Sequence, residues 1–180
     1  MALNPITGGY IYGERTNQGG IVAAYIGLYN GPLQNTPAMT YTIASTGSNA
    51  NMITAFGGAT VSMFTVTNRQ EQASLMTTPA IGANGTVAYA QTYEFVVEIV
   101  TPAIANWVQQ LIGGQWRVMV LDVLGNYVFL GAVNGGYITS APGGPGGKIA
   151  DGNKITLTFK ADEATFPIGV TPAAAATLIS

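Results

Sequence analysis

The sequence predicts a β-rich domain interrupted by a single helix, and three observations carry that expectation. Its 24 glycines and 9 prolines fall between short apolar runs, the punctuation of many short strands. Residues 153–160 alternate cleanly, with Ile155, Leu157 and Phe159 on one side and Lys154, Thr156, Thr158 and Lys160 on the other. Between Thr101 and Gly114 the period changes from two to that of a helix.

Taken in order, the strands are expected at 21–29, 39–44, 59–67, 87–100, 115–123, 126–133, 137–140 and 153–160. In the sixth, Tyr127 and Phe129 alternate with Val128 and Leu130, so both faces are apolar. Such a strand is either central or covered on its second face by another subunit. Leu124-Gly125-Asn126-Tyr127 reads as the hairpin turn that precedes it, because Gly and Asn accept the positive φ that tight turns need. The helix is expected at about 102–112. Thr101 is the N-cap, Pro102 the first helical residue, and Gly113-Gly114 the stop. Ile104, Trp107, Val108, Leu111 and Ile112 make one apolar stripe.

At 180 residues the chain fits one domain, assigned to residues 1–163 with long loops at about 68–86 and 141–152. Residues 164–180 are expected to form a C-terminal arm. The segment from Ala141 to Lys148, with glycines at 143, 144, 146 and 147, lacks the periodicity of any element, and so does the tail. One or the other is expected to bridge to a neighbouring subunit, which makes Gly143, Gly144, Gly146, Gly147, Phe166 and Ile168 the candidate interface residues. Trp107 lies on the helix stripe, and Trp116 heads a strand with Val118 and Val120 on its face, so both are expected in the core.

Charge is the strongest compositional signal. Charged residues are 8 % of the chain, against about 25 % in an ordinary soluble domain. Residues 16–68 and 123–147 carry none. A neutral surface favours association, so one reading is that neighbours cover much of it. The other is a soluble domain surfaced with Thr, Ser, Asn, Gln and Gly. No apolar run is long enough to span a bilayer, and residues 1–13 lack the basic and apolar regions of a secretory signal. No membrane association is expected, and the chain is expected to be made in the cytoplasm.

Chemistry is scarce. The chain has no cysteine and no histidine, which removes thiolate chemistry and the commonest general base and metal ligand. The Gly-rich loop fails as a phosphate loop, since Lys148 is followed by Ile149 and then by a strand. Asp151-Gly152-Asn153 matches only a fragment of a calcium loop. Glu94 and Glu98 share a strand face at about 13 Å, given about 3.3 Å per residue. Glycoside hydrolysis needs carboxyls about 5 to 9.5 Å apart. Asn84-Gly85-Thr86 is a glycosylation sequon without a secretory signal to give it meaning. The expectation is a non-enzymatic protein without cofactor or metal.

From Tyr93 to Glu163 the order strand, helix, strand, hairpin, Gly-rich loop, strand becomes specific. Trp116 opens a strand after the helix and its Gly turn. Asp122 is followed by Gly125 and Tyr127, and Gly131 precedes Asn134-Gly135. Thr156-Leu157-Thr158-Phe159 closes the pattern. This half resembles small virion proteins of tailed bacteriophages, of the tail-tube type. The remainder is similar only loosely, around Tyr25 and the strand ending near Thr67. The resemblance implies a β-sandwich or partly closed barrel with one flanking helix. It further implies a virion subunit of the tail, or of the related head–tail connector ring, that assembles with copies of itself and with other virion proteins. Subunits of this type form hexameric rings that stack into a conduit, touching the passing DNA only passively. The alternatives are a capsid-decorating or head-fibre protein, and a carbohydrate- or surface-binding module using Tyr and Trp as stacking platforms.

Overall fold

A computed structural model describes residues 20–29, 38–58, 62–67, 73–98, 101–145 and 153–179. The protein is mainly β, with a curled, half-closed sheet and two helices. Among the described residues twelve strands are found, in this order: β1 Ile21–Leu28, β2 Thr40–Ile43, β3 Ile53–Gly57, β4 Phe64–Thr67, β5 Ala73–Ile81 and β6 Val87–Glu98. Helix α1 (Pro102–Ile112) precedes β7 Gln115–Asp122, β8 Tyr127–Leu130, β9 Gly136–Ser140, β10 Gly143–Pro145 and β11 Asn153–Glu163. The chain closes with β12 Ile168–Val170 and α2 Pro172–Ala176.

The sheet forks at β7. One edge of β7 pairs with β1 from Trp116 to Asp122. A strand has only two edges, so β8 and β9 must share the other. Val118–Leu121 pair with β8, while Gln115 and Trp116 pair with β9. One wing continues from β8 through β12 and β3 to β2, and the other from β9 through β11 and β6 to β5. Strand β4 extends the sheet beyond β1.

The fork leaves apolar residues on both faces of the strands at its root. Val118, Val120 and Leu130 face a first core, filled by Tyr93, Phe95, Leu157 and Phe159 from the second wing and by Val108 and Leu111 of α1. Met119 and Phe129 face a second core with Ile53, Met63, Val170, Ala175 and Leu178. Strand β8 is therefore central, and the chain itself covers both of its faces. In β1 the pairing slips between Ile21 and Ala23. That irregularity is why Ile21 and Ala24, three apart, share the first core while Ala23 joins the second.

Helix α1 forms as its signals predict. The Thr101 hydroxyl accepts from the Ile104 N–H at 3.3 Å, and Pro102 opens the first turn. Ile112 departs from the expected stripe and is exposed, a residue too far round the helix to reach the sheet. Gly114 is required by contact, since a Cβ there would lie 2.4 Å from the Trp116 ring that folds back over the helix end.

Three expectations are corrected. The segment 70–85 is not a loop through its length, because Ala73–Ile81 pairs with β6 along all nine of its residues. The Gly-rich segment does contain regular structure. Gly143, Gly144 and Pro145 pair with Ile155, Lys154 and Asn153, while 146–152 lie outside the described residues. Residues 164–179 are no arm. Strand β12 pairs with β3 and β8, the Met63 N–H donates to the Leu178 carbonyl at 2.7 Å, and Leu178 is 1 % exposed. The tail reads as irregular in sequence because its strand is three residues long and its helix five, with Thr171 as N-cap.

Candidate assembly surface

The predicted interface residues do not converge. Gly143 and Gly144 sit in β10 against β11, and Gly146 and Gly147 lie outside the described residues. Ile168 is half-buried opposite Phe129 and packs on the second core. Phe166 is 57 % exposed, with its ring 4.5 Å from that of Tyr89. Of the six, Phe166 alone offers a large apolar side chain to solvent. Both tryptophans are half-buried against the first core. Phe64 meets them edge-on, at 5.7 Å from Trp107 and 6.3 Å from Trp116. The Trp116 indole N–H donates to the Leu111 carbonyl at 2.7 Å, satisfying part of the helix terminus.

Of the buried polar residues described, Thr171 caps α2, while Gln91, Arg117 and Glu163 gather around the turn 131–135. The Gly131 N–H donates to Gln91 Oε1 at 3.0 Å. The Val133 and Asn134 N–H groups both donate to Glu163 Oε1, at 3.0 and 2.8 Å. The Tyr29 hydroxyl donates to the Val133 carbonyl at 2.8 Å, and Gln115 Nε2 to the Asn134 carbonyl at 2.7 Å. The Arg117 guanidinium stacks over the Tyr29 ring at 4.6 Å. Burial lowers the Arg117 pKa, while the Tyr29, Tyr41 and Glu163 charges act to raise it. Burial also raises the Tyr41 hydroxyl, helped by the Glu163 charge and opposed by Arg117. Gly135, at φ +68°, leaves no room for a side chain, since a Cβ would stand 2.7 Å from Tyr29. This knot satisfies the backbone groups of the turn.

The surface that could meet a partner is marked by how charge is placed. Glu94, Lys154, Lys160 and Asp162 are exposed and Glu98 half-buried. All five lie on the outer face of the β6–β11 ladder, where Glu98 pairs with Lys154 and Lys160 stands 3.7 Å from Asp162. Arg117 and Glu163 are buried, and Asp122 closes the β7–β8 turn by accepting from Asn126. The rest of the described surface is uncharged. It includes the outer edge of β5, which among the described residues pairs only with β6. The β5–β6 hairpin carries no charge from Ala73 to Tyr93, and exposes Met76 (60 %) and Ile81 (76 %). A nine-residue edge without charge is a template for pairing. The sequence did hold the signal for this hairpin: Asn84-Gly85 between the runs ending at Ile81 and starting at Val87.

A cleft of about 430 Å³ opens between β4, the end of β6 and α1, lined by Phe64, Val66, Val97, Ile104 and Trp107 with Glu98 at its side. Among the described residues no group of three acidic side chains is placed to hold a metal ion, and no helix is long and apolar enough to cross a membrane. No family model matches the chain, and no curated protein matches it.

Proposed function

We propose that the chain is a virion structural subunit that assembles with copies of itself into rings or a tube, the tail conduit through which a phage genome passes. The observation that carries this reading is the segregation of charge. A long uncharged edge strand, ending in an apolar hairpin tip, borders the β6–β11 face on which the exposed charges of the described residues gather. Pro79 interrupts the donors of this edge, but no charge protects it, and an edge of this kind is satisfied when another subunit's strand or surface covers it. The same placement suits a conduit wall. Among the described residues the two exposed lysines each stand beside an acid and form no cationic stripe to hold phosphates. The inward packing of both tryptophans supports this reading over a stacking platform for sugars.

The test is electron microscopy and light scattering of the purified chain beside Met76→Lys and Ile81→Lys variants. Both positions are exposed, so folding and melting temperature should be unchanged. The parent is expected to form rings or tubes, alone or on addition of preformed assemblies, and the variants to remain at 18.6 kDa. A parent that stays at 18.6 kDa even with preformed assemblies overturns the proposal. Trimers or capsid-bound monomers in the micrographs would favour the decorating or head-fibre reading instead.

A further inference from the structure

Among the described residues two asparagines precede glycine, Asn84-Gly85 and Asn134-Gly135. Glycine has no Cβ to obstruct its own backbone nitrogen, so this dipeptide is the one in which that nitrogen most readily reaches the asparagine side-chain carbonyl. The structure treats the two differently.

Asn134 is restrained at every group the reaction needs. Its N–H donates to Glu163, its Nδ2 to the Asp162 carbonyl at 2.9 Å, and its carbonyl accepts from Gln115. Gly135 is buried and donates to the Gly131 carbonyl. Asn84 sits at the exposed tip of the β5–β6 hairpin, where residues 82–87 are all exposed. The Gly85 N–H makes one turn bond, to the Gly82 carbonyl at 2.9 Å. Asn84 Oδ1 accepts from both the Thr86 N–H (3.2 Å) and the Thr86 hydroxyl (2.7 Å). Two donors on that oxygen draw electron density from Cγ and stabilise the charge that develops when Cγ is attacked.

We propose that Asn84 is a site of spontaneous deamidation, with Thr86 as the residue that activates its side-chain carbonyl. The deprotonated Gly85 nitrogen attacks Asn84 Cγ and forms a new N–Cγ bond. The Cγ–Nδ2 bond breaks, and Nδ2 takes up a proton and leaves as ammonia, giving a succinimide. Water then opens the ring at either carbonyl, to aspartate or isoaspartate. Water is the sole co-reactant, and nothing is oxidised or reduced. The product puts a negative charge on a hairpin that has none from Ala73 to Tyr93. Isoaspartate also lengthens the main chain at the turn. If this tip is a contact between subunits, which rests on the function proposed above, subunits left unassembled lose it with age.

Trypsin separates the two sites, since cleavage after Arg69 and Arg117 places Asn84 in 70–117 and Asn134 beyond 117. The full chain is incubated in mildly alkaline buffer and its peptides are followed by mass spectrometry. Conversion at Asn84 is expected to run on the order of tenfold or more faster than at Asn134, because an exposed tip opens at almost no cost and a held turn does not. In denaturing urea the two rates should converge. Thr86→Val should slow conversion at Asn84 in the folded chain and not in urea. Equal rates in the folded chain, faster conversion at Asn134, or an unaffected Thr86→Val variant would each overturn the proposal. Assembly is read separately, by comparing Asn84→Asp with Asn84→Gln. If both assemble like the parent, the contact role of the tip is overturned while the peptide result decides the chemistry.

Discussion

Leu178 tests whether the C-terminal segment belongs to the core of its own domain. The side chain is 1 % exposed and lies in the second core with Ile53, Met63 and Phe129. Its backbone carbonyl holds the Met63 N–H, and Met63 forms a bridge with Ile179, so the surroundings are tied in place and cannot collapse freely into a void. Leu178→Ala removes apolar volume and leaves a cavity, which costs about 2–5 kcal/mol, with the upper half favoured where relaxation is restricted. At about 2–4 °C per kcal/mol for a chain of this size, the melting temperature should fall by roughly 4–20 °C. Urea denaturation should show a lower midpoint with an unchanged slope, the mark of altered stability without altered unfolding surface. Ala at the exposed Phe166 should cost less than about 1 kcal/mol. A Leu178→Ala midpoint indistinguishable from the parent would refute the reasoning and restore a tail free to leave its domain.

Three further outcomes are expected. Glu163→Ala removes the acceptor of two backbone N–H groups and a charge that acts on buried Arg117, so it should cost about 1–3 kcal/mol in urea unfolding. Glu163→Gln keeps an acceptor for the turn and should cost clearly less; equal losses would mean that charge alone matters. Trp116→Phe keeps the packing against Phe64 but deletes the bond to Leu111, and should cost about 0.5–1.5 kcal/mol with no change in helix content by circular dichroism. Tyr25 is raised above its ordinary value by burial and then by Tyr127, and Tyr41 by burial and then by Glu163. The unfolded chain therefore loses these protons first. Their contribution to stability is complete below about pH 10 and falls as pH rises through the folded-state values. Urea midpoints should drop in that alkaline range, and less steeply in Tyr25→Phe or Tyr41→Phe.

Elements with a full period were legible in the sequence, and those without one were not. Helix α1 was predicted at the boundaries it has, because Thr101, Pro102 and Gly113-Gly114 act locally. Strand β11 was predicted from the alternation of Ile155, Leu157 and Phe159, though it runs three residues further. Its extension through Ala161 to Glu163 was hidden because the inward position at the end is a carboxylate, buried only because the 131–135 turn needs an acceptor there. Strand β5 was missed because Pro79 and a run of Thr and Ser mask its pairing, which comes from β6 and not from its own propensity. Strand β12 and α2 hold too few residues to show a period, and their apolar side chains make sense only beside Ile53 and Phe129. Of the candidate interface, the sequence supplied the neutrality but not the place. The outward face of β6–β11 emerges only when residues sixty apart are brought into register.

The polar knot explains how a chain so apolar in its central strands settles on one pairing. An alternating strand resists slipping by one residue because every apolar side chain would turn to solvent. Strand β8 lacks that protection. Tyr127 and Phe129 pack on one core, Val128 and Leu130 on the other, and a slip would leave apolar groups on both sides. Directional contacts must then fix the register, and they are found where β8 ends. Gln91 holds Gly131, Glu163 holds Val133 and Asn134, and Tyr29 holds the Val133 carbonyl, so β6, β11 and the residue after β1 all grip the same five-residue turn. Any other pairing of β8 with β7 would carry this turn away from its partners and leave the buried Gly131 N–H and the buried Glu163 carboxylate unsatisfied, at about 1–3 kcal/mol for the neutral group and more for the charge. Among the described residues two charged side chains lie inside, and Glu163 does so to hold this turn. Burial of Arg117 and Glu163 costs solvation, but it makes the wrong registers costlier still.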